Sequence, residues 1–105
     1  MWVFLNNAFL SIVEHRDNKD ILLVRSRFAE DINRVFPKAE VFSDIGTDYK
    51  YRAFICRDDV SHMMKQQAEK INYTNFKNSV LEMDRHNTYL NVWQEMWKAQ
   101  QIKER

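Results

Sequence analysis

Three histidines, one cysteine and fifteen carboxylates are the groups in this 105-residue chain that could carry reaction chemistry. His15, His62 and His86 recur at no fixed spacing. No H-x-x-x-H or E-x-x-H run sets two ligands on one helix face, as zinc or di-iron sites need. Ser61 and His62 are adjacent, and neighbours on a helix point about 100° apart, too far round to act as a nucleophile–base pair. Cys56 lies in an apolar strand pattern between Ile55 and Arg57, which reads as a small core residue rather than an activated thiol. The pairs Glu30-Asp31 and Asp58-Asp59 fall in the first turns of expected helices, where the helix dipole accounts for a carboxylate. With a single glycine, the chain has no phosphate-cradling loop. These residues point away from an enzyme, a cofactor and a bound metal.

Cations give a different signal. "LLVRSR", Leu22 to Arg27, and "YKYRAF", Tyr49 to Phe54, both read as strands with basic residues two apart. The period of two puts Arg25 and Arg27 beside Leu23, and Lys50 and Arg52 beside Phe54. If the two faces coincide, one side of a sheet presents four cations among apolar groups, and Trp2, Phe4 and Phe9 extend it. Bases stack on rings and phosphates meet cations on such a surface, so it suits single-stranded nucleic acid. The plainer reading makes these ordinary outward charges, partly neutralised by Glu14, Asp17, Asp48 or helix carboxylates. A second surface is the last expected helix, where Tyr89, Trp93, Met96 and Trp97 are residue types enriched at protein interfaces. Its plainer reading is packing inside the fold.

The elements that would position these groups follow from periodicity and turn residues. Asn6-Asn7 separates "WVFL" from "AFLSIV", the pattern of a two-residue hairpin, which pairs Leu5 with Ala8, Phe4 with Phe9 and Val3 with Leu10. Nine asparagines against one glycine suggest that Asn supplies left-handed turn positions. Both hairpin faces are apolar, which predicts cover on each side. "ILLVRSR" is a third strand, and Ser26 can cap a helix through "FAEDINRVF" that Pro37 ends. "AEVFS" and "YKYRAFICR" are strands. Asp58 or Asp59 caps a helix with the stripe Val60, Met63, Met64, Ala68, Ile71. Thr74 or Asn75 caps a short helix, and Asp84 opens the last. The expected architecture is one α+β domain over residues 1–105, ordered β-β-β-α-β-β-α-α-α. It holds an antiparallel sheet of about five strands with helices against it, and residues 98–105 form a frayed tail.

Composition supports a folded body: 45% of residues are hydrophobic and 30% charged, ordinary globular usage. A net charge of +1 gives no global pull toward nucleic acid or membrane, so a polyanion must meet a local patch. Residues 58–105 carry seven acids and seven bases. There is no run of about 18–20 apolar residues to span a bilayer and no secretory leader pattern. A single cysteine forms no internal disulfide, and the expectation is a cytoplasmic location. Along "MWVFLNNAFLSIV", "LLVRSR…DINRVFP", "DYKYRA" and "INYTNFKNSV…YLNVW" the chain resembles short, uncharacterised proteins of bacteria and phages sharing a WVFLN-x-AFLSIV start. That resemblance implies a stand-alone cytoplasmic domain and carries no activity. By analogy with small phage proteins, the leading expectation is a non-enzymatic module acting through protein contacts, as an inhibitor or accessory factor of a host complex. Nucleic-acid binding through Arg25, Arg27, Lys50, Arg52 and Phe54 is the alternative.

Overall fold

The computed structural model describes residues 1–104 and divides into two compact units, Met1–Asn72 and the residues from Tyr73 onward. The first unit holds strands β1 (Trp2–Leu5), β2 (Ala8–Glu14), β3 (Ile21–Ser26), β4 (Phe42–Ser43) and β5 (Tyr51–Cys56). It also holds helices α1 (Asp31–Val35) and α2 (Arg57–Glu69). The fold is α+β, as expected: a five-stranded sheet in the order β1-β2-β3-β5-β4, antiparallel throughout.

The hairpin register is the one its two-residue loop imposes, with Leu5 opposite Ala8, Phe4 opposite Phe9 and Val3 opposite Leu10. No described residue has a positive φ, so asparagines do not supply left-handed positions, and the Asn6-Asn7 turn lacks the dihedrals of a type I′ turn. The hairpin is instead held from outside by α1. The Phe9 N–H donates to Asp31 Oδ2 at 3.0 Å, and Arg34 Nη1 donates to the Asn7 carbonyl at 2.9 Å. Asp31 is fully buried, so its carboxylate belongs to the fold.

Alternation sorts the strands into two faces. Val3, Leu10, Ile12, Leu22, Val24, Ala53 and Ile55 make the covered face, packed with Ile32 of α1 and Val60 and Met63 of α2. Burying side chains as completely as Leu10, Val24 and Ile32 is worth about 1.5–3 kcal/mol each. The expectation of cover on both hairpin faces fails: on the other face Trp2 is 68% and Val13 36% exposed.

Helix α1 is shorter than its apolar spacing suggests. Ser26 does not cap it: the buried hydroxyl donates to the Phe28 carbonyl at 2.8 Å, while Glu30 stands at the N-cap. Phe28 is left exposed. The helix ends just before Phe36-Pro37, where proline forbids continuation. Helix α2 begins one residue before the acidic pair, with Cys56 at its N-cap and Asp58 and Asp59 in its first turn. It ends before Ile71, which is exposed.

In the second unit, α3 (Phe76–Ser79) and α4 (Met83–Lys103) follow one another. Asn75 caps α3, its Oδ1 accepting from the Asn78 N–H at 3.2 Å. Glu82 is the N-cap of α4, with Asp84 in its first turn. Tyr89 is buried and stacks on Phe76 at 5.8 Å with 16° between the rings. Residues 98–103, expected as a frayed tail, are helical, and Arg105 lies outside the described residues. Gln, Lys and Glu are good helix formers, and pairs such as Lys98–Glu95 at 3.2 Å add support. Among the described residues no helix is long and apolar enough to cross a membrane.

Candidate functional site

The faces of β3 and β5 do coincide. Leu23 stands opposite Phe54 and Arg25 opposite Arg52. Through Ser11–Arg25, Trp2–Ser11 and Phe42–Arg52, one cross-strand row runs Trp2, Ser11, Arg25, Arg52, Phe42. Four strand-to-strand steps make that row roughly 19 Å long. Rings gather toward both of its ends. Phe9 lies 4.6 Å from Phe4 and 6.3 Å from Trp2. Phe54 lies 5.5 Å from Phe42 and 5.0 Å from His15. Trp2, Phe42 and Phe54 are 68%, 41% and 54% exposed, so this is an open face that presents rings.

Three of the four expected cations meet here, around a residue the periodicity did not single out. The guanidinium carbons of Arg25 and Arg27 stand 4.7 and 4.4 Å from the Tyr49 ring centroid. Arg52 Nε donates to the Tyr49 carbonyl at 3.2 Å. Tyr49 is itself buried. Its N–H donates to Asp48 Oδ1 at 3.0 Å, and its carbonyl also accepts from the Thr47 hydroxyl at 2.8 Å. Lys50 is not brought to the cluster. Its ammonium lies 5.5 Å from the Tyr51 ring, a side chain packed against the covered-face core. Tyr49 and Lys50 precede the first residue of β5, and there the alternation is out of phase with the strand.

The electrostatics of the cluster follow from its partners, which are all neutral. Arg25 Nη2 donates to Ser11 Oγ at 2.7 Å, Arg27 Nη1 to the Asp48 carbonyl at 2.9 Å, and Arg52 to the Tyr49 carbonyl. Two of the carboxylates that would have neutralised these charges make other contacts. Glu14 pairs with Arg57 at 2.8 Å, and Asp48 Oδ1 accepts from the Tyr49 N–H. Among the described residues, no ion pair involves Arg25, Arg27 or Arg52. Arg25 Nε is buried without a hydrogen-bond partner, and the negative face of Tyr49 offsets part of that cost. Directly opposed like charges such as Arg25 and Arg52 destabilise a sheet. The cluster therefore holds oriented positive charge with no carboxylate ion-paired to it among the described residues.

The other expected residues are placed as follows. Cys56 is exposed, not a core residue, because it closes β5 on the open face. With Phe54, Asp59 and His62 it lines an open groove of about 910 Å³. His15 Nδ1 accepts from the Asp17 and Asn18 N–H groups at 3.0 and 3.1 Å, closing the β2–β3 turn. His86 Nδ1 lies 2.8 Å from the Lys77 carbonyl. Among the described residues no three His, Cys, Asp or Glu side chains converge as a metal-binding group. On α4, Tyr89 is buried, whereas Trp93, Met96 and Trp97 are 48%, 67% and 52% exposed, with Lys77 Nζ 4.6 Å from the Trp93 ring. No family model, curated protein or solved structure matches the chain.

Proposed function

We propose that the chain is a non-enzymatic binding module whose open sheet face takes single-stranded nucleic acid. The observation that carries this reading is the meeting of Arg25, Arg27 and Arg52 around Tyr49 with no carboxylate paired to them. Exposed rings at both ends of the same row complete the surface. Arginines with no ion-paired carboxylate favour an anion, and rings standing clear of a sheet favour planar groups that can lie on them. A duplex keeps its bases stacked away from such rings, so the surface selects a strand whose bases are free.

The two contributions differ in size and in salt response. Stacking is worth about 1–3 kcal/mol per base and is insensitive to salt. Three phosphate contacts give a slope of log affinity against log salt of about −2, or roughly a 15-fold loss between 50 and 200 mM. Fluorescence anisotropy with labelled 12-nucleotide DNA and RNA strands, and their duplexes, tests the reading at those two concentrations. The expected result is single-strand binding at 50 mM with that slope, weaker duplex binding, and loss in the Arg25→Gln/Arg27→Gln/Arg52→Gln variant. Absence of any single-strand binding at 50 mM overturns it.

A second reading rests on α4. The exposed Trp93, Met96 and Trp97 are suited to a protein partner, and a module that docks on a larger complex through this helix is its form. Trp93→Ser/Trp97→Ser would abolish capture of such a partner and leave strand binding on the sheet unchanged.

A further inference from the structure

A surface that merely attracted a polyanion would need its cations spread along the path of the backbone. Here two guanidinium groups lie over the ring of one tyrosine, and a third arginine is tied to its backbone carbonyl. Arg25 and Arg27 lie within 4.7 Å of its ring centroid, and Arg52 is tied to its carbonyl. The tyrosine is fixed in turn. It is buried, its N–H is held by Asp48, and the Thr47 hydroxyl that reaches its carbonyl lies 2.9 Å from the Asp44 carbonyl as well. Each arginine is oriented by a neutral acceptor, so its direction is set with no carboxylate ion-paired to it among the described residues. Such pre-organisation serves one compact, highly charged group. An internal phosphodiester carries a single charge, whereas a phosphomonoester carries about −1.5 to −2 at neutral pH and offers three strong acceptor oxygens. Arginine forks match phosphate oxygens in geometry as well as in charge.

We infer that the Arg25–Arg27–Arg52 cluster is a site for a terminal phosphate, the phosphomonoester at the end of a nucleic-acid strand, with Tyr49 as its positioning residue. This rests on the strand-binding reading of the same face. The end phosphate anchors at the cluster, and the adjoining bases lie toward the rings of Phe42 and Phe54 or of Phe4 and Phe9. Tyr49 does not touch the strand; it holds the arginines.

The test compares three labelled 12-nucleotide strands of one sequence, bearing a 5′-phosphate, a 3′-phosphate or hydroxyls at both ends, by anisotropy at fixed salt. The wild-type chain is expected to bind one phosphorylated strand at least tenfold tighter than the hydroxyl-ended strand. Tyr49→Phe keeps the ring and should keep that ratio, whereas Tyr49→Leu should bring it close to one. Arg27→Gln alters an exposed residue that folding tolerates, and it should cut the ratio several-fold even if the Leu variant is poorly folded. A purely structural tyrosine would change melting and overall affinity without changing the ratio. Equal wild-type affinity for all three strands overturns the terminal-phosphate site and leaves the strand-binding face standing. Failure of every strand to bind removes both.

Discussion

The two faces of one sheet differ although they are made by alternate residues of the same strands. The covered face is aliphatic, and its Leu10, Val24 and Ala53 are wholly buried against elements such as Ile32 of α1. The open face carries Trp2, Phe9, Arg25, Arg52, Phe54 and Phe42. Packing explains every residue of the first set. It does not explain the second, where large rings stay in water and two arginines oppose each other. Residue types that lower stability or solubility where they stand are common on binding surfaces. The covered face builds the body; the open face is what the body presents.

The sharpest way to break that contrast is to cut into the covered face. Leu10→Ala removes a fully buried side chain and should cost about 2–5 kcal/mol, the spread reflecting how far the site collapses. Urea unfolding read by tryptophan fluorescence measures it, and a cost under 1 kcal/mol would show that this face is not the core. Next in size is the tie between α1 and the hairpin. Asp31→Ala leaves the Phe9 N–H without its acceptor, at a cost of about 1–3 kcal/mol. Asp31→Asn retains an oxygen acceptor and should lose less, so the reverse order in melting experiments would refute the assignment.

How much of this was legible beforehand differs between the same regions. The hairpin register was readable because a two-residue loop leaves only one pairing. The sorting of Arg25 with Leu23 and Arg52 with Phe54 was readable from alternation. Their meeting on one face was not, because it depends on β3 pairing with β5 in one register, a long-range fact. Tyr49 is not legible because it lies outside β5, where strand periodicity no longer fixes direction, and for the same reason alternation groups Lys50 with the arginines although its ammonium lies by the Tyr51 ring. Ser26 resembled a helix cap by type alone, yet its burial sends the hydroxyl to Phe28 instead. Tertiary context overrode local chemistry in each of these cases.

The open face predicts smaller effects, and of opposite sign. Arg52→Gln removes one of two opposed cations. The Tyr49 carbonyl keeps the Thr47 hydroxyl, shared with the Asp44 carbonyl, as a donor within reach. Stability should rise by about 0.5 kcal/mol at low ionic strength. The gain should vanish near 1 M salt, where the screening length is about 3 Å. Strand affinity should fall in the same variant. A loss of stability at low salt would mean that Arg52 is a packing residue and that the two faces are less distinct than drawn.

The smallest effect should come from outside the sheet. Trp97→Ser on α4 alters a side chain that is 52% exposed, and surface changes of this kind stay within about 0.5 kcal/mol. Serine and tryptophan have about the same helix propensity, so helicity in circular dichroism should change as little as the unfolding midpoint. A drop of several degrees in that midpoint would place Trp97 in a buried contact. The α4 stripe would then be packing rather than a presented surface, and the contrast drawn for the sheet would not extend to it.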